Sequence, residues 1–419
     1  MVKYFFSFII LVLISLTLPA QTTKTGVLVI GNTAASVAAS LQSARSGAKT
    51  ILLTQTPAIS ANFTTEDIRY LEKIQNHYIT KIRKKPGAKD STIAFDFNMN
   101  KDQYLKLIRS ISDTTKNLTV TLNTALEKIE KKGKGWEVKL KNGQKIKADV
   151  VVDATENLFI ASILRIDANK TMLTPTATAN PFDTKLYRST VATAYSGNAT
   201  SQSVSLISIG ALLPAGVENF IIVPKSTNMV KPINMSAGQA AGTIASYCAF
   251  FKTTTKDINV RAVQTELFVF DAELIPLSDI KISDPNFQAF QRMALSGLLK
   301  PVITKSGNQN VIKFDTAGAV SSEELRAPMR EFYSRSQLWF ADNKKDVMTI
   351  EDAISLLMFT APRGNELIKE IEDGWKESFK FDSKFDLKRQ ITRKEFTVLA
   401  DQYLLPFKTN VDFAGNLLS

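Results

Sequence analysis

Four residues near the amino end have the types and spacing to hold a dinucleotide. Gly31, Thr33 and Ser36 stand where a phosphate-binding turn of the form G-x-G-x-x-G would place its three glycines. Gln55 stands where an acidic residue would hold a ribose hydroxyl. The chemistry depends on backbone approach. Free N–H groups and the dipole at a helix start attract a diphosphate, and glycines let it come close. A β-carbon at Thr33 crowds that approach, Ser36 is a milder change, and Gln55 bonds a hydroxyl more weakly than a carboxylate does. The motif is damaged, and on these residues alone a βαβ unit without nucleotide is as good a reading.

Other chemistry is scarce. Cys248 is the only cysteine and His77 the only histidine, so no intramolecular disulfide can form, and a Cys/His metal site or a Ser-His-Asp triad has too few members. No catalytic acid or base is identifiable; His77 is the one candidate by chemistry, and a lone histidine is usually structural or exposed.

The elements around the motif are those that would position it. Gly26–Ile30 is a short apolar run that reads as a buried parallel strand. Residues 31–36 read as a tight turn, Val37–Ser46 as a helix closed by Gly47, and Ala48–Thr54 as a second strand. A helix is expected over Asn100–Thr115, with strands at Leu118–Leu122, Ala125–Ile129, Trp136–Leu140 and Lys145–Asp153. Asn142-Gly143 is a strong hairpin signal, so a meander feeds the apolar strand Val150–Asp153.

At this point the chain resembles the FAD-dependent oxidoreductase family. Ala148-Asp-Val-Val-Val-Asp-Ala-Thr155 looks like the strand that returns to the cofactor. Ala211–Asn219 followed by Phe220–Val223 resembles the family's late segment, and Gly238-Gln-Ala-Ala-Gly242 the start of its final helix. The resemblance covers about residues 25–280. It implies an α/β, FAD/NAD(P)-binding Rossmann-like domain with a β-meander, and FAD as cofactor. Carried over residue by residue, Gly31, Thr33, Ser36 and Gln55 would face the ADP half, and Gly238 would open a helix aimed at the ring. Departures are several. Glu156 stands where a glycine lies close to the flavin, Pro57–Asp67 lacks glycine, Val223-Pro-Lys225 replaces Ala-Gly-Arg, and the substrate insert, about 157–210, is short. Two readings stay open: an oxidoreductase holding FAD by a variant geometry and acting on an unknown small molecule, or a non-catalytic descendant that has lost FAD and serves as a binding or scaffold module.

The expected organisation is a signal peptide over 1–20, the FAD/NAD(P)-binding-like domain over 21–280, and a smaller, mainly α-helical domain over 281–419. Lys3, the apolar run Tyr4–Leu18 and Ala20 read as a secretory signal cut before Gln21, giving a periplasmic or cell-surface protein with no further span. The run is short for a membrane helix of roughly 20 residues. The formal charge of +12 could attract anionic lipid headgroups, acidic glycans or nucleic acid. The densest basic stretch, Lys81–Lys89, has no interleaved aromatics, so nucleic acid is not expected. In the last third, Val320–Leu325, Met348–Ala353 and Ile391–Phe396 each read as a capping box with an apolar staple, N-capped by Ser321, Thr349 and Thr392. These irregular repeats weakly resemble the S-layer homology module, which implies a cell-surface polymer or a protein as partner.

Overall fold

The computed structural model describes residues 22–57, 59, 106, 109–110, 112–172, 180–198, 201–223, 235–307 and 309–418. The leader, His77, Lys81–Lys89 and the segment after Val223 lie outside the described residues, as do all of Pro57–Asp67 except Pro57 and Ile59.

A seven-stranded sheet organises the first half, in the order β3-β2-β1-β6-β5-β4, with β9 also paired to β6. The strands are β1 (Thr22–Ile30), β2 (Thr50–Leu53), β3 (Leu118–Thr121), β4 (Leu126–Lys132), β5 (Gly135–Leu140), β6 (Lys145–Asp153) and β9 (Phe220–Ile222). β1 is parallel to both β2 and β6, whereas β4, β5 and β6 form the antiparallel meander. β6 forks: Lys145–Ala148 pairs with β5 and Val151–Asp153 with β9 on the same edge. The indole Nε1 of Trp136 donates to the Asn219 carbonyl at 2.8 Å, closing the fork.

The apolar run in β1 is continuous because both faces are covered. Val27 and Val29 join the core under α1 (Ala34–Arg45) and α3 (Met235–Phe251). Leu28 and Ile30 join the core with Trp136, Phe220 and Ile160 of the short helix α2 (Phe159–Ile163). The helix after β1 starts at Ala34, three residues earlier than the sequence pattern suggested, because Thr33 is its N-cap. Its end is closed as expected: Gly47 has φ +91°, and Ala48 donates to the Ser43 carbonyl at 3.2 Å. Of the helix expected over Asn100–Thr115, residues 106, 109–110 and 112–114 are described as helical.

Beyond the hairpin β7 (Thr190–Asn198) and β8 (Ser201–Ser208) come α4 (Val260–Val269) and α5 (Phe287–Ser296). A second hairpin, β10 (Val302–Ser306) and β11 (Gln309–Lys313), interrupts the helical region. Five helices follow: α6 (Ser322–Phe332), α7 (Ser336–Asp342), α8 (Ile350–Thr360), α9 (Glu366–Gly374) and α10 (Arg393–Tyr403). One apolar core runs from β1 and α3 into α5 and α10, through Phe290, Phe314 and Phe396.

The three box segments meet. Met348 donates to the Val320 carbonyl, Ile391 to that of Met348, and Val320 to that of Ile391, closing a three-membered backbone ring. Thr349 with Asp352 and Thr392 with Glu395 are full capping boxes. The box at Val320–Leu325 is a correction: Ser321 caps α6 through the Glu323 N–H, but Glu324 makes no return bond. Its carboxylate is taken by the buried Arg393, whose other N–H groups bond the Phe314 and Lys300 carbonyls. Thr392→Ala should therefore lower stability by about 1–2 kcal/mol in urea unfolding, and Ser321→Ala by less.

The two halves are joined by buried arginines. Arg261 donates to the Arg188 and Thr409 carbonyls and to Gln264, and its guanidinium lies 4.5 Å from the Phe407 ring. Burial, with Arg188 nearby, pushes its pKa down, yet it stays protonated at neutral pH. Arg188 grips Glu331 with two bonds, of 3.0 and 2.7 Å. That grip, aided by Lys185, holds the Glu331 carboxyl down to about 2. A depressed carboxylate stabilises the fold above its ordinary value and loses that contribution as pH falls through its folded value. Glu331→Gln should thus destabilise by about 3 kcal/mol at pH 7, because it strands the buried guanidinium. The penalty should shrink as pH falls from about 4.5 towards 2, and pH-dependent thermal melts read this directly.

Candidate functional site

Ile30 pairs with Leu53 and with Asp153, so β1, β2 and β6 end in one line. The carboxyl edge of a parallel sheet at such a point is where open α/β sheets bind ligands. The fold delivers Gly31, Thr33, Ser36, Gln55 and Glu156 to this edge. Gly238 packs beside them, against Ala35 of α1, and none of the turn residues is arranged as an open phosphate cradle.

Gly31 is held by a close approach. Its φ is +151°, and a β-carbon there would lie 2.4 Å from the Ala154 carbonyl oxygen at the end of β6. Thr33 does two jobs with one hydroxyl. Its Oγ1 accepts the Ser36 N–H at 3.2 Å and donates to the Ala154 carbonyl at 3.0 Å. The Ser36 N–H, which an anion at this helix start would use, is thereby occupied, and the turn is tied to β6. Ser36 is fully buried, and its Oγ donates back to the Thr33 carbonyl at 2.7 Å. On the β2 side, Asn32 donates to Thr56 Oγ1 at 3.2 Å, tying the same turn to the loop that carries Gln55. Gln55 and Glu156 are exposed.

Asp153, fully buried at the end of β6, closes the next corner. Its carboxylate accepts the Thr155 hydroxyl at 2.6 Å, the Thr155 N–H at 3.1 Å and the Ala161 N–H at 2.8 Å. Thr155 Oγ1 accepts the Phe159 N–H at 2.6 Å, so the pair anchors the start of α2. Burial raises the Asp153 pKa, with these hydrogen bonds acting the other way. Asn32, Thr56, Asp153 and Thr155 are the residues here that sequence reasoning left without a role. The one available signal was composition, since Asn, Thr and Asp at strand ends favour side-chain-to-backbone bonds.

Gly238 is a close-packing position. It lies inside α3, which starts at Met235, and a β-carbon on it would come 2.2 Å from the Ala35 carbonyl oxygen. Gly242 meets Ala39 in the same way, also at 2.2 Å. Both glycines serve the contact of α3 with α1, where Gln239 also donates to Gln42 at 3.0 Å. Cys248, on the same helix, is buried, and burial pushes its thiol up to about 12, so it is no nucleophile. Among the described residues no group of three or more His, Cys, Asp or Glu could hold a metal ion, and no helix is long and apolar enough to cross a membrane.

These contacts do not fit FAD held in the way its fold position requires. A diphosphate needs backbone approach at Thr33 and a free N–H at Ser36, and a side chain fills the one and bonds the other.

Residues 26–162 match the family described as FAD dependent oxidoreductase. No curated protein matches the chain. Similar solved structures include bacillithiol disulfide reductase from Staphylococcus aureus, 12% identical over 33% of this chain and 40% of that one, with a TM-score of 0.25. The p-nitrophenol 4-monooxygenase of Pseudomonas putida is 14% identical over 35% and 43%, at 0.26. The thioredoxin reductase of T. acidophilum is 16% identical over 31% and 34%, at 0.21. The chain spans less than half the length of each. Over residues 26–162, the chain is similar to the FAD-dependent oxidoreductase family.

Proposed function

We propose that this protein is a non-catalytic descendant of its family, exported to the periplasm or cell surface, in which FAD has been lost and the fold serves as a binding module. The observation that carries this reading is the Thr33 hydroxyl, which caps α1 and bridges to Ala154. It satisfies from within the chain the donor that a diphosphate would need. The partner proposed for the carboxyl-terminal third, where the three helix starts meet in a backbone ring, is a cell-surface polymer or a protein.

Calorimetric titration of FAD into the chain beginning at Gln21 tests the reading. No saturable heat is expected at micromolar FAD. Saturation at one FAD per chain would overturn the reading in favour of an oxidoreductase of variant geometry acting on a small molecule.

A further inference from the structure

The end of the sheet opposite the candidate site carries a distinctive surface. The amino ends of β1 and β6, the turn at Gly47–Lys49 and the carboxyl end of α3 enclose a shallow basin of about 790 Å3. Five lysines line it (Lys24, Lys49, Lys132, Lys147 and Lys252) against two acids, Glu137 and Asp149. Lys252 pairs with Asp149 at 2.8 Å, and Lys147 reaches Glu137 at 3.7 Å. Lys24 and Lys49 are exposed and have no acidic partner among the described residues. At the rim, α3 ends in two bare aromatics: Phe250 is 68% exposed and Phe251 61%. Their rings pack edge to face at 5.1 Å, and Phe251 also leans on Tyr247 at 4.8 Å, which fixes the pair as a projecting wedge.

Unpaired lysines beside projecting aromatics are the composition of an interfacial membrane contact: charge draws anionic headgroups, and rings enter the boundary below them. A soluble anionic polymer would satisfy the lysines and leave the rings without a role.

We propose that this basic, aromatic end of the sheet docks peripherally on anionic lipid, with Phe250 and Phe251 entering the headgroup boundary and Lys24 and Lys49 over the lipid phosphates. Co-sedimentation of the chain beginning at Gln21 with phosphatidylcholine vesicles, with and without phosphatidylglycerol, tests it. Binding is expected only with phosphatidylglycerol and should weaken with salt. Lys24→Gln with Lys49→Gln should lower partitioning about thirtyfold, and Phe250→Ser with Phe251→Ser about tenfold or more. Both pairs lie on the surface, so unchanged thermal melts confirm that folding is intact. Absence of binding to the phosphatidylglycerol vesicles overturns the proposal. So does retention on immobilised dextran sulfate together with vesicle binding that ignores the phenylalanine changes, which would assign the face to a soluble polymer.

Discussion

Gly238→Ala combined with Gly242→Ala should destabilise the protein by about 4 kcal/mol or more, enough to unfold much of it at 37 °C. The sign is opposite to what a helix alone would give. In an isolated helix, each exchange of glycine for alanine gains about 1 kcal/mol, from backbone entropy. Here each new methyl would lie 2.2 Å from a carbonyl oxygen of α1, at Ala35 and at Ala39. The obstacle is backbone, not a flexible side-chain tip, so α1 and α3 must separate. That would strip packing from Val27 and Val29 below them and strain the buried Gln239–Gln42 bond. Overpacking of this kind costs roughly 1–3 kcal/mol per site or more, and two sites one turn apart act on one interface. Urea unfolding monitored by circular dichroism would show the loss. A double variant as stable as the parent would mean that the helices are free to move apart, and that the contact does not set the fold.

Thr33→Gly with Gln55→Glu should raise FAD affinity by about two to four orders of magnitude. The first change removes the hydroxyl that occupies the Ser36 N–H and the β-carbon that blocks backbone approach. Two charge-assisted hydrogen bonds to a diphosphate, at roughly 1.5–3 kcal/mol each, account for that range. The second change returns a carboxylate to the end of β2. Stability should fall by only about 1–2 kcal/mol, because glycine at an N-cap is a few tenths of a kcal/mol worse than threonine and the bond to the Ala154 carbonyl is lost as well. Affinity gained with no larger loss of stability separates a restored site from a loosened fold. A double variant that still ignores FAD would move the block to the other ties, Asn32 to Thr56 and Asp153 to Thr155.

Local patterns carried much of the fold. The strand at Lys145–Asp153 was readable to the residue, because its polar amino half alternates and its carboxyl half is apolar on both faces. The caps at Thr349 and Thr392 were readable because a capping box is satisfied within four residues. What failed depended on distant partners. Glu324 should have closed the first box, but Arg393, far along the chain, takes its carboxylate. The packing role of Gly238 likewise rests on a distant residue, Ala35, that no local pattern reveals. Thr33 is the instructive case. A threonine before an apolar-periodic helix is an N-cap signal of the same kind as Thr392, but comparison with a glycine fingerprint cast it as a damaged phosphate contact. The structure shows the cap, and the proposed loss of FAD rests on the same hydroxyl.

The visible absorption spectrum of the protein purified from its native host bears most directly on whether FAD has been lost. A colourless protein, with flavin at well under one per chain after denaturation and extraction, is the expected result. A yellow protein carrying stoichiometric FAD as isolated would contradict it. That result would mean the Thr33 hydroxyl gives way to the diphosphate, and that the protein is a working flavoprotein.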